Sequence, residues 1–253
     1  MMKSVRQPVP AFVQLAAHPV RWQLLAALSG GDYRVREMVS LVGEPQNLVS
    51  YHLRLLRDGG LVRVSRSSFD GRDSYYHLDL DRCTEMLVGV GAALHPGLGC
   101  NRPPVTFTSE TPSPVLFVCT GNSARSAIAE ALLRQRTGGT VDTTSAGTCP
   151  KRNMHPNTVR VLREEFGIDI ADRHPRHLDS LAGRRFGTVI TLCDKAREVC
   201  PEFDGETRRI HWSIPDPAAA GGADEETYPA FRVIAAEIDT RIRYLCETHA
   251  VTT

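Results

Sequence analysis

The sequence lacks any run of about 20 apolar residues, the length that a helix needs to cross a bilayer. Its first residues, MMKSVRQPVPAFVQL, also lack the apolar stretch of a secretory signal. We therefore expect a cytoplasmic protein with no membrane partner. With a net charge of +1, the whole chain shows no strong excess of either sign, so partners must be inferred from local clusters of charge.

Cysteine is sparse as well, with seven residues, an odd number, scattered along the chain. A secreted scaffold held together by disulfides would be shorter and denser in cysteine. In a reducing cytosol these residues stay thiols for packing, metal binding or catalysis. The histidines show no metal-site spacing, because His174 and His177 have no matching Cys or His pair. We predict no metal and no other bound cofactor.

A segment rich in proline, glycine, serine and threonine divides the chain between His95 and Pro114. At 253 residues the chain is long enough for two domains that each bury a core. We predict a first domain at 1–97, a linker at 98–113 and a second domain at 114–253.

The first domain has a mainly helical pattern that ends in a hairpin. The predicted elements are helices at 11–28, 33–42, 45–58 and 81–94 and strands at 61–65 and 74–80. Asp70-Gly71, between the two strands, is a hairpin signal. This order of elements is that of a winged helix-turn-helix: helices, a short turn, a further helix and then a basic hairpin.

The third predicted helix has an apolar face for the core and a polar face that can hydrogen-bond base edges or phosphates in a major groove. Arginines of the hairpin can contact the DNA backbone, and within 46–66 four arginines face a single aspartate. The predicted DNA-binding residues are Gln46, Asn47, Ser50, Tyr51, Arg54, Arg63, Arg66 and Arg72. The alternative is a helical module that binds a protein partner and whose polar face is only solvated.

Three motifs resemble the ArsR family of repressors: His18-Pro-Val-Arg-Trp-Gln-Leu-Leu, Asn47-Leu-Val-Ser-Tyr-His-Leu-Arg-Leu-Leu and Asp58-Gly-Gly-Leu-Val. The resemblance implies a homodimer, built on the first and last helices, that binds a palindromic double-stranded DNA operator. Similar metal-sensing members carry two cysteines in the second helix of the motif. The stretch from Arg36 to Val42 has none, which rules out arsenite sensing there. Cys83 and Cys100 could form another thiol site, so the inducer stays open.

After the linker, strands and helices alternate, which implies an α/β domain with a parallel sheet covered on both faces. The predicted strands are 115–118, 141–145, 186–192 and 209–212, and the predicted helices are 126–136, 156–166 and 225–246.

The sharpest motif, Val115-Leu-Phe-Val-Cys-Thr-Gly-Asn-Ser-Ala-Arg-Ser, is a strand ending at Cys119, then a loop of small residues, then a helix. The N–H groups of such a loop and of the helix N-terminus bind a tetrahedral oxyanion, and Arg125 can bind two of its oxygens. The same field favours the thiolate form of Cys119, the nucleophile. The predicted oxyanion-binding residues are Thr120, Gly121, Asn122, Ser123, Ala124, Arg125 and Ser126. A nucleotide-binding loop is excluded, since GxxxxGK(S/T) is absent.

This loop resembles the phosphate loop of the low-molecular-weight tyrosine phosphatase fold, which arsenate reductases share. The resemblance spans about 114–247 and includes Ser145-Ala-Gly-Thr and Ile214-Pro-Asp-Pro-Ala. It implies that Asp216 is the general acid beside Cys119. It also implies a phosphatase or a reductase, with phosphate or arsenate as the anion.

Two features favour a reductase. Phosphatases of this family usually have an aromatic residue after the Asp-Pro pair, where this chain has Ala218. Cys193 and Cys200 match the second and third redox cysteines of arsenate reductases of the thioredoxin-coupled type, and His211-Trp212 resembles the same subgroup.

The resemblance implies a cysteine relay. Cys119 attacks arsenate, Cys193 attacks Cys119 and releases arsenite, and Cys200 then moves the disulfide outward to an external thiol reductant, thioredoxin or a low-molecular-weight thiol. Seven residues of helix span about 10.5 Å, whereas a disulfide needs Cα atoms within about 4.4–6.8 Å. If 193–200 is helical when reduced, it must unwind on oxidation, and we expect this segment to be mobile.

Two alternatives stay open. One is a protein tyrosine phosphatase fused to the regulator. The other is a transcriptional regulator whose second domain only binds phosphate or arsenate, as a sensor without catalysis. Cys193 and Cys200 would then be buried packing residues. We assign Cys149 and Cys246 to packing or to chance.

Overall fold

The computed structural model describes residues 8–67, 69, 71–95, 113–203 and 206–250. These residues form two compact units, one built on 8–65 and 74–95 and the other on 113–203 and 206–250. Cys100 and the predicted linker lie outside the described residues, apart from Ser113 at the end of the linker. The limits of the two domains therefore stay predictions.

The first unit has the element order of a winged helix-turn-helix. Its elements are α1 (Ala11–Ala16), α2 (Pro19–Leu28), β1 (Tyr33–Arg34), α3 (Val35–Val42), α4 (Gln46–Asp58), β2 (Val62–Arg66), β3 (Ser74–Leu78) and α5 (Leu80–Leu94). The strands form a small sheet in the order β1-β3-β2. The mainly helical class predicted for this part of the chain is confirmed.

The single helix predicted at 11–28 is wrong, because the chain breaks between α1 and α2. Pro19 has no N–H to donate and occupies the first turn of α2. His18 caps that turn, since its Nδ1 accepts the N–H of Val20 at 3.3 Å. The next helix also starts two residues later than predicted, at Val35, because Tyr33 pairs with β3.

The core of the first unit sits under α4. Val49, Leu53 and Leu56 are fully buried there, together with Leu24 of α2 and Met38 of α3. This packing fixes the rotation of α4 about its axis and leaves the opposite face of the helix in solvent.

The second unit is an α/β domain, as predicted. Its elements are β4 (Val115–Cys119), α6 (Arg125–Arg136), β5 (Thr143–Gly147), α7 (Pro156–Phe166), β6 (Thr188–Thr191), α8 (Asp194–Val199), β7 (Arg208–His211) and α9 (Asp224–Ala250). The sequence did not predict α8 or a short 3₁₀ turn at Leu178–Leu181. Neither α9 nor any other helix in the described ranges is both long and apolar enough to cross a membrane.

The four strands of this unit are parallel and lie in the order β5-β4-β6-β7. β4, β5 and β6 are buried along their whole length, as is typical of parallel strands covered on both faces. The chain continues from β4 to β5 on one side and returns to β6 on the other. The carboxyl ends of β4 and β6 therefore flank a topological switch point, where α/β sheets bind their ligands.

Candidate functional site

The loop that follows β4 turns its carbonyl groups outward. Four of them accept N–H groups from the segment 148–155 at 2.9–3.1 Å. The donor and acceptor pairs are Thr148 to Cys119, Cys149 to Thr120, Lys151 to Gly121 and His155 to Ser123. Because each peptide unit carries its N–H opposite its C=O, the loop N–H groups face inward, where an oxyanion can accept them.

Asn122 holds this loop from within. Its φ of 48° is left-handed, a conformation that asparagine tolerates better than most residues. The side-chain amide donates to Ser126 Oγ at 2.9 Å and to Ser145 Oγ at 2.8 Å, and Oδ1 accepts the N–H of Arg176 at 2.8 Å. The loop is thereby tied to both α6 and β5.

The glycine of the Ser145-Ala-Gly-Thr motif lies directly under the loop. A Cβ atom on Gly147 would lie 2.7 Å from the carbonyl oxygen of Thr120 and 3.0 Å from the backbone nitrogen of Asn122. Both neighbours are backbone atoms that the loop cannot easily move, so only glycine fits at this position.

Two donors converge on the sulfur of Cys119. The thiol is buried, and its Sγ lies 3.0 Å from Ser126 Oγ and 3.2 Å from the backbone nitrogen of Asn122. Ser126 Oγ already accepts a hydrogen bond from the Asn122 amide, so its own proton is available to the sulfur. A thiolate accepts both bonds and has no proton of its own to place.

Arg125 begins α6 and lies over the loop with its side chain buried. Its NH1 donates to the carbonyl of Ile214 at 3.0 Å, and its NH2 lies 3.5 Å from Asp216 Oδ2. Its Nε is buried and has no hydrogen-bond partner among the described residues. A buried donor without an acceptor costs about 1–3 kcal/mol, and a bound oxyanion would supply that acceptor.

A pocket of about 600 Å³ opens above the loop, and its lining includes Cys119, Arg125, Cys193 and Asp216. Asp216 is exposed, and its Oδ1 accepts the N–H of Ala218 at 3.3 Å. Four of the five predicted catalytic residues thus line one cavity. The fifth, Cys200, lies at the far end of α8.

Cys193 and Cys200 flank α8. Cys193 lies two residues after the end of β6 and is buried, with its Sγ 3.3 Å from Thr120 Oγ1. Cys200 ends the helix, and burial raises the pKa of its thiol, although the neighbouring Arg209 opposes that shift. All six cysteines in the described ranges are free thiols. In this thiol form the segment between the two cysteines is helical.

The sequence analysis missed a buried carboxylate that supports the loop. Glu130 Oε2 accepts the hydroxyl proton of Ser145 at 2.6 Å. Its Oε1 accepts from Arg173 at 2.6 Å and from Arg134 at 3.0 Å. The hydrogen bonds continue from Glu130 through Ser145 to Asn122 of the loop. The sequence signal for this support was a single carboxylate among the apolar residues of α6.

A second missed cluster lies next to Cys193. Asp194 Oδ1 accepts the hydroxyl of Ser213 at 2.8 Å and lies 3.1 Å from His211 Nε2. The other ring nitrogen of His211 lies 2.9 Å from Thr191 Oγ1. All four side chains are buried. The sequence singled out His211 only for its resemblance and gave no sign that it contacts Asp194.

In the first unit, the five residues predicted to contact DNA from α4 all lie on its solvent face. They are Gln46, Asn47, Ser50, Tyr51 and Arg54, and each is exposed. The guanidinium of Arg54 lies 5.7 Å from the centre of the Tyr51 ring. The polar face therefore exists as one continuous surface.

The hairpin arginines differ from one another. Arg63 Nε donates to Asp79 Oδ2 at 2.6 Å, so an internal carboxylate already neutralises this arginine. Arg66 and Arg72 are exposed near the tip, where Arg66 NH1 lies 3.4 Å from the carbonyl of Gly71. Asp70, from the predicted turn, lies outside the described residues.

Cys83 is partly buried on α5, and its Sγ lies 3.6 Å from the carbonyl oxygen of Leu61. Burial and, to a smaller extent, Asp79 raise the pKa of its thiol to about 11. A thiol that keeps its proton is a poor metal ligand. Within the described ranges, no three His, Cys, Asp or Glu residues cluster in a way that could hold a metal ion.

Known proteins match the two units separately. The family model "Low molecular weight phosphotyrosine protein phosphatase" matches residues 114–252, and "Bacterial regulatory protein, arsR family" matches residues 18–64. The arsenate reductase of Halalkalibacterium halodurans is 38% identical over 134 residues, and that of Bacillus subtilis is 36% identical over 134 residues. Each alignment covers 53% of this chain and 95% of the relative.

A solved arsenate reductase from Archaeoglobus fulgidus is 28% identical, with a TM-score of 0.44, and covers 53% of this chain and 98% of that one. The phosphatase model covers more than half of the present chain. The chain therefore belongs to the low molecular weight phosphotyrosine protein phosphatase family and carries an arsR-family regulatory region before that domain.

Proposed function

We propose that the second unit reduces arsenate to arsenite through Cys119, Cys193 and Cys200, and that the first unit is a transcriptional regulator that binds operator DNA. One observation carries the reductase assignment: a second buried thiol, Cys193, lines the pocket of Cys119 and contacts the anion loop through Thr120. A phosphatase completes its reaction with water and needs no second thiol. The relatives named arsenate reductase support the same assignment.

The first step joins sulfur to arsenic. Arsenate binds to the N–H groups of the loop 120–126 and to Arg125, in the same way as other tetrahedral oxyanions. The Cys119 thiolate attacks the arsenic, an As–S bond forms, and one As–O bond breaks. Asp216, beside Arg125, supplies the proton with which that oxygen leaves as water.

The second step reduces the arsenic. The Cys193 thiolate attacks Cys119 Sγ, so an S–S bond forms and the S–As bond breaks. The electron pair of the broken bond stays on arsenic, which passes from As(V) to As(III) and leaves as arsenite. Two thiols are thereby oxidised to one disulfide. The contact between Thr120 and Cys193 holds the attacking sulfur against the loop.

The third step moves the disulfide outward. Cys200 attacks Cys193, Cys119 leaves as a thiolate, and an external dithiol such as thioredoxin, or a low-molecular-weight thiol, reduces the 193–200 disulfide. Two residues that lie seven positions apart along a helix, as Cys193 and Cys200 do, have Cα atoms about 10.5 Å apart. That distance is too long for a disulfide, so α8 must unwind before the bond can form. Unwinding also exposes Cys200, which relieves the burial that raises its pKa. A thiol cycle of this kind requires a reducing compartment, which favours the cytoplasm.

A coupled assay tests the reductase assignment. Full-length protein is mixed with arsenate, thioredoxin, thioredoxin reductase and NADPH, and in parallel with small thiols and their reductases. We expect NADPH oxidation that requires arsenate, with one arsenite formed per NADPH. Hydrolysis of p-nitrophenyl phosphate without any arsenate-dependent NADPH oxidation, under either reductant, would favour a phosphatase instead.

For the first unit we propose that α4 enters the major groove with its exposed polar face. A homodimer built on α1 and α5 would present two such helices to a palindrome. Exposed apolar side chains on these two helices support the dimer: Val13 on α1 and Leu87 and Val88 on α5. Burying them against a second copy would remove them from water.

Two arginines should contribute unequally to operator binding. Arg54→Ala should weaken binding about tenfold or more, since a side chain that contacts a base contributes about 1–3 kcal/mol. Arg63→Ala should weaken it less, because Asp79 already neutralises Arg63. Fluorescence anisotropy on the operator, mapped by footprinting upstream of the gene, gives both affinities at matched salt.

Arg184→Ala, in the second unit, serves as the control and should bind DNA like the unmodified protein. Equal losses for Arg54→Ala and Arg63→Ala, or no loss for either, would contradict the assignment of α4 as the helix that reads DNA.

A further inference from the structure

We infer that Asp194 is a positioning residue, which anchors the Cys193 end of α8 to the sheet while the Cys200 end of the helix unwinds. This inference rests on the proposed relay and adds to it the direction in which the helix opens. It is carried by the buried cluster of Asp194, His211, Ser213 and Thr191 beside the pocket.

The cluster ties the first residue of α8 to the central sheet of the unit. Asp194 directly follows Cys193, and its Oδ1 is held by Ser213 at 2.8 Å and by His211 Nε2 at 3.1 Å. His211 ends β7, where it pairs in register with Thr191, the last residue of β6. Side-chain contact between Thr191 Oγ1 and His211 Nδ1, at 2.9 Å, completes the link. The carboxylate is therefore fixed to two neighbouring strands.

Moving this end of the helix would be costly. Asp194 is only 2% exposed, and a buried carboxylate separated from its hydrogen-bond donors loses far more than an exposed one. Because Asp194 is the next residue in the chain, its contacts restrain the backbone of Cys193. Cys193 Sγ then stays beside Thr120 and within the pocket of Cys119.

The other end of the helix is held less firmly. Val199, the last helical residue, is 56% exposed, and Glu198 before it is exposed as well. Pro201 follows Cys200 and has no N–H to contribute to a further turn. The carbonyl of Cys200 accepts one hydrogen bond from Arg209, at 3.1 Å, from a side chain and not from the sheet backbone. Unwinding from this end exposes the buried Cys200 side chain, whereas Val199 and Glu198 already lie in solvent.

This asymmetry fits the order of the sulfur chemistry. In the second step Cys193 must reach Cys119, so it has to stay at the pocket. In the third step Cys200 must travel to Cys193, because Cys193 is then bonded to Cys119. An anchor at Asp194 and a more exposed end next to Cys200 satisfy both requirements, whereas the opposite arrangement would withdraw Cys193 from the pocket.

Single-turnover kinetics test this inference on the full chain. The reduced protein is mixed with arsenate, and arsenite is measured against time without added reductant. Asp194→Ala should slow arsenite release about 100-fold, since a displacement of about 1 Å at a reacting group can cost that much. Arsenate should still protect Cys119 from iodoacetamide at concentrations within twofold of wild type, because the anion loop is untouched.

Conservative variants separate positioning from folding. Asp194→Asn keeps an oxygen that accepts from Ser213 and His211, so its rate should lie between those of wild type and Asp194→Ala. Ser213→Ala removes one bond to the anchor and should slow the same step to a smaller degree, which keeps the test usable if Asp194→Ala does not fold. Glu198→Gln, at the other end of α8, is the matched control and should release arsenite at the wild-type rate.

Three results would overturn the inference. Wild-type release rates in both Asp194→Ala and Ser213→Ala would show that the anchor does not position Cys193, while the relay itself would stand if Cys193→Ser still blocks release. If Asp194→Ala lowers both the rate of arsenite release and the protection of Cys119 by arsenate against iodoacetamide, Asp194 supports the anion loop instead. If the wild-type protein releases no arsenite, both the proposed relay and the inferred role of Asp194 are wrong.

Discussion

Replacing Cys193 with serine should abolish arsenate reduction and leave hydrolysis of p-nitrophenyl phosphate close to the wild-type rate. Reduction needs the Cys193 thiolate to take the sulfur of Cys119 from arsenic, and a serine hydroxyl cannot form that disulfide. Hydrolysis of a phosphate ester needs only Cys119, Arg125, Asp216 and water. We expect a loss of at least about 10³-fold in arsenate-dependent NADPH oxidation, the scale seen when a nucleophile is removed.

Both rates are measured on one preparation of the variant, so that loss of folded protein cannot imitate the result. Cys149→Ser is the matched control, since its thiol is exposed, and it should keep both activities. A parallel fall of both activities in Cys193→Ser would show that Cys193 supports the anion loop. Arsenate reduction at the wild-type rate would exclude Cys193 from the chemistry.

Replacing Cys119 with serine should remove both activities and leave operator binding unchanged. The sulfur of Cys119 is the nucleophile in reduction and in hydrolysis alike, and serine in the same loop has a far less acidic hydroxyl. We again expect a loss of at least about 10³-fold in each rate. Operator binding depends on α4 and the hairpin, so its affinity should stay within twofold of wild type.

Cys246→Ser, on α9, is the control here and should behave like wild type in all three measurements. If Cys119→Ser still reduces arsenate, another thiol is the nucleophile and the assignment of the loop is wrong. A protein without either activity, whose operator affinity responds to arsenate equally with and without Cys119, would instead be a sensor that binds the anion without reacting.

The sequence predicted those elements whose ends carry local signals. The helix α7 was predicted to the residue, because Pro156 occupies its first turn and Gly167 ends it with a φ of 68°. The break before Pro19 was missed, because apolar residues continue at helical spacing across it and conceal the change of direction. The helix α8 was missed because six residues are too few to show a period.

The residues of the candidate site also fall into two groups, those that a motif identifies and those that only the fold brings together. Cys119 and Arg125 could be named from the loop motif, since an anion loop of this kind needs a nucleophile and a guanidinium, and Asp216 could be named from the family resemblance of its Asp-Pro pair. The supports could not be named, because Glu130 meets Arg173, and Asp194 meets His211, only after the sheet has formed. Arg63 is a further example: its residue type predicts a contact with DNA, and only the fold shows that it also donates a hydrogen bond to an aspartate 16 residues later.

The central claim is that Cys119, at the end of β4, and Cys193, just beyond the end of the neighbouring β6, form a disulfide with each other as arsenic is reduced. The most direct test is one equivalent of arsenate added to the reduced Cys200→Ser variant without oxygen or reductant, followed by arsenite analysis and peptide mapping by mass spectrometry. We predict one arsenite per protein, the loss of two thiols and a disulfide between Cys119 and Cys193. Unchanged thiols and no arsenite would contradict the account.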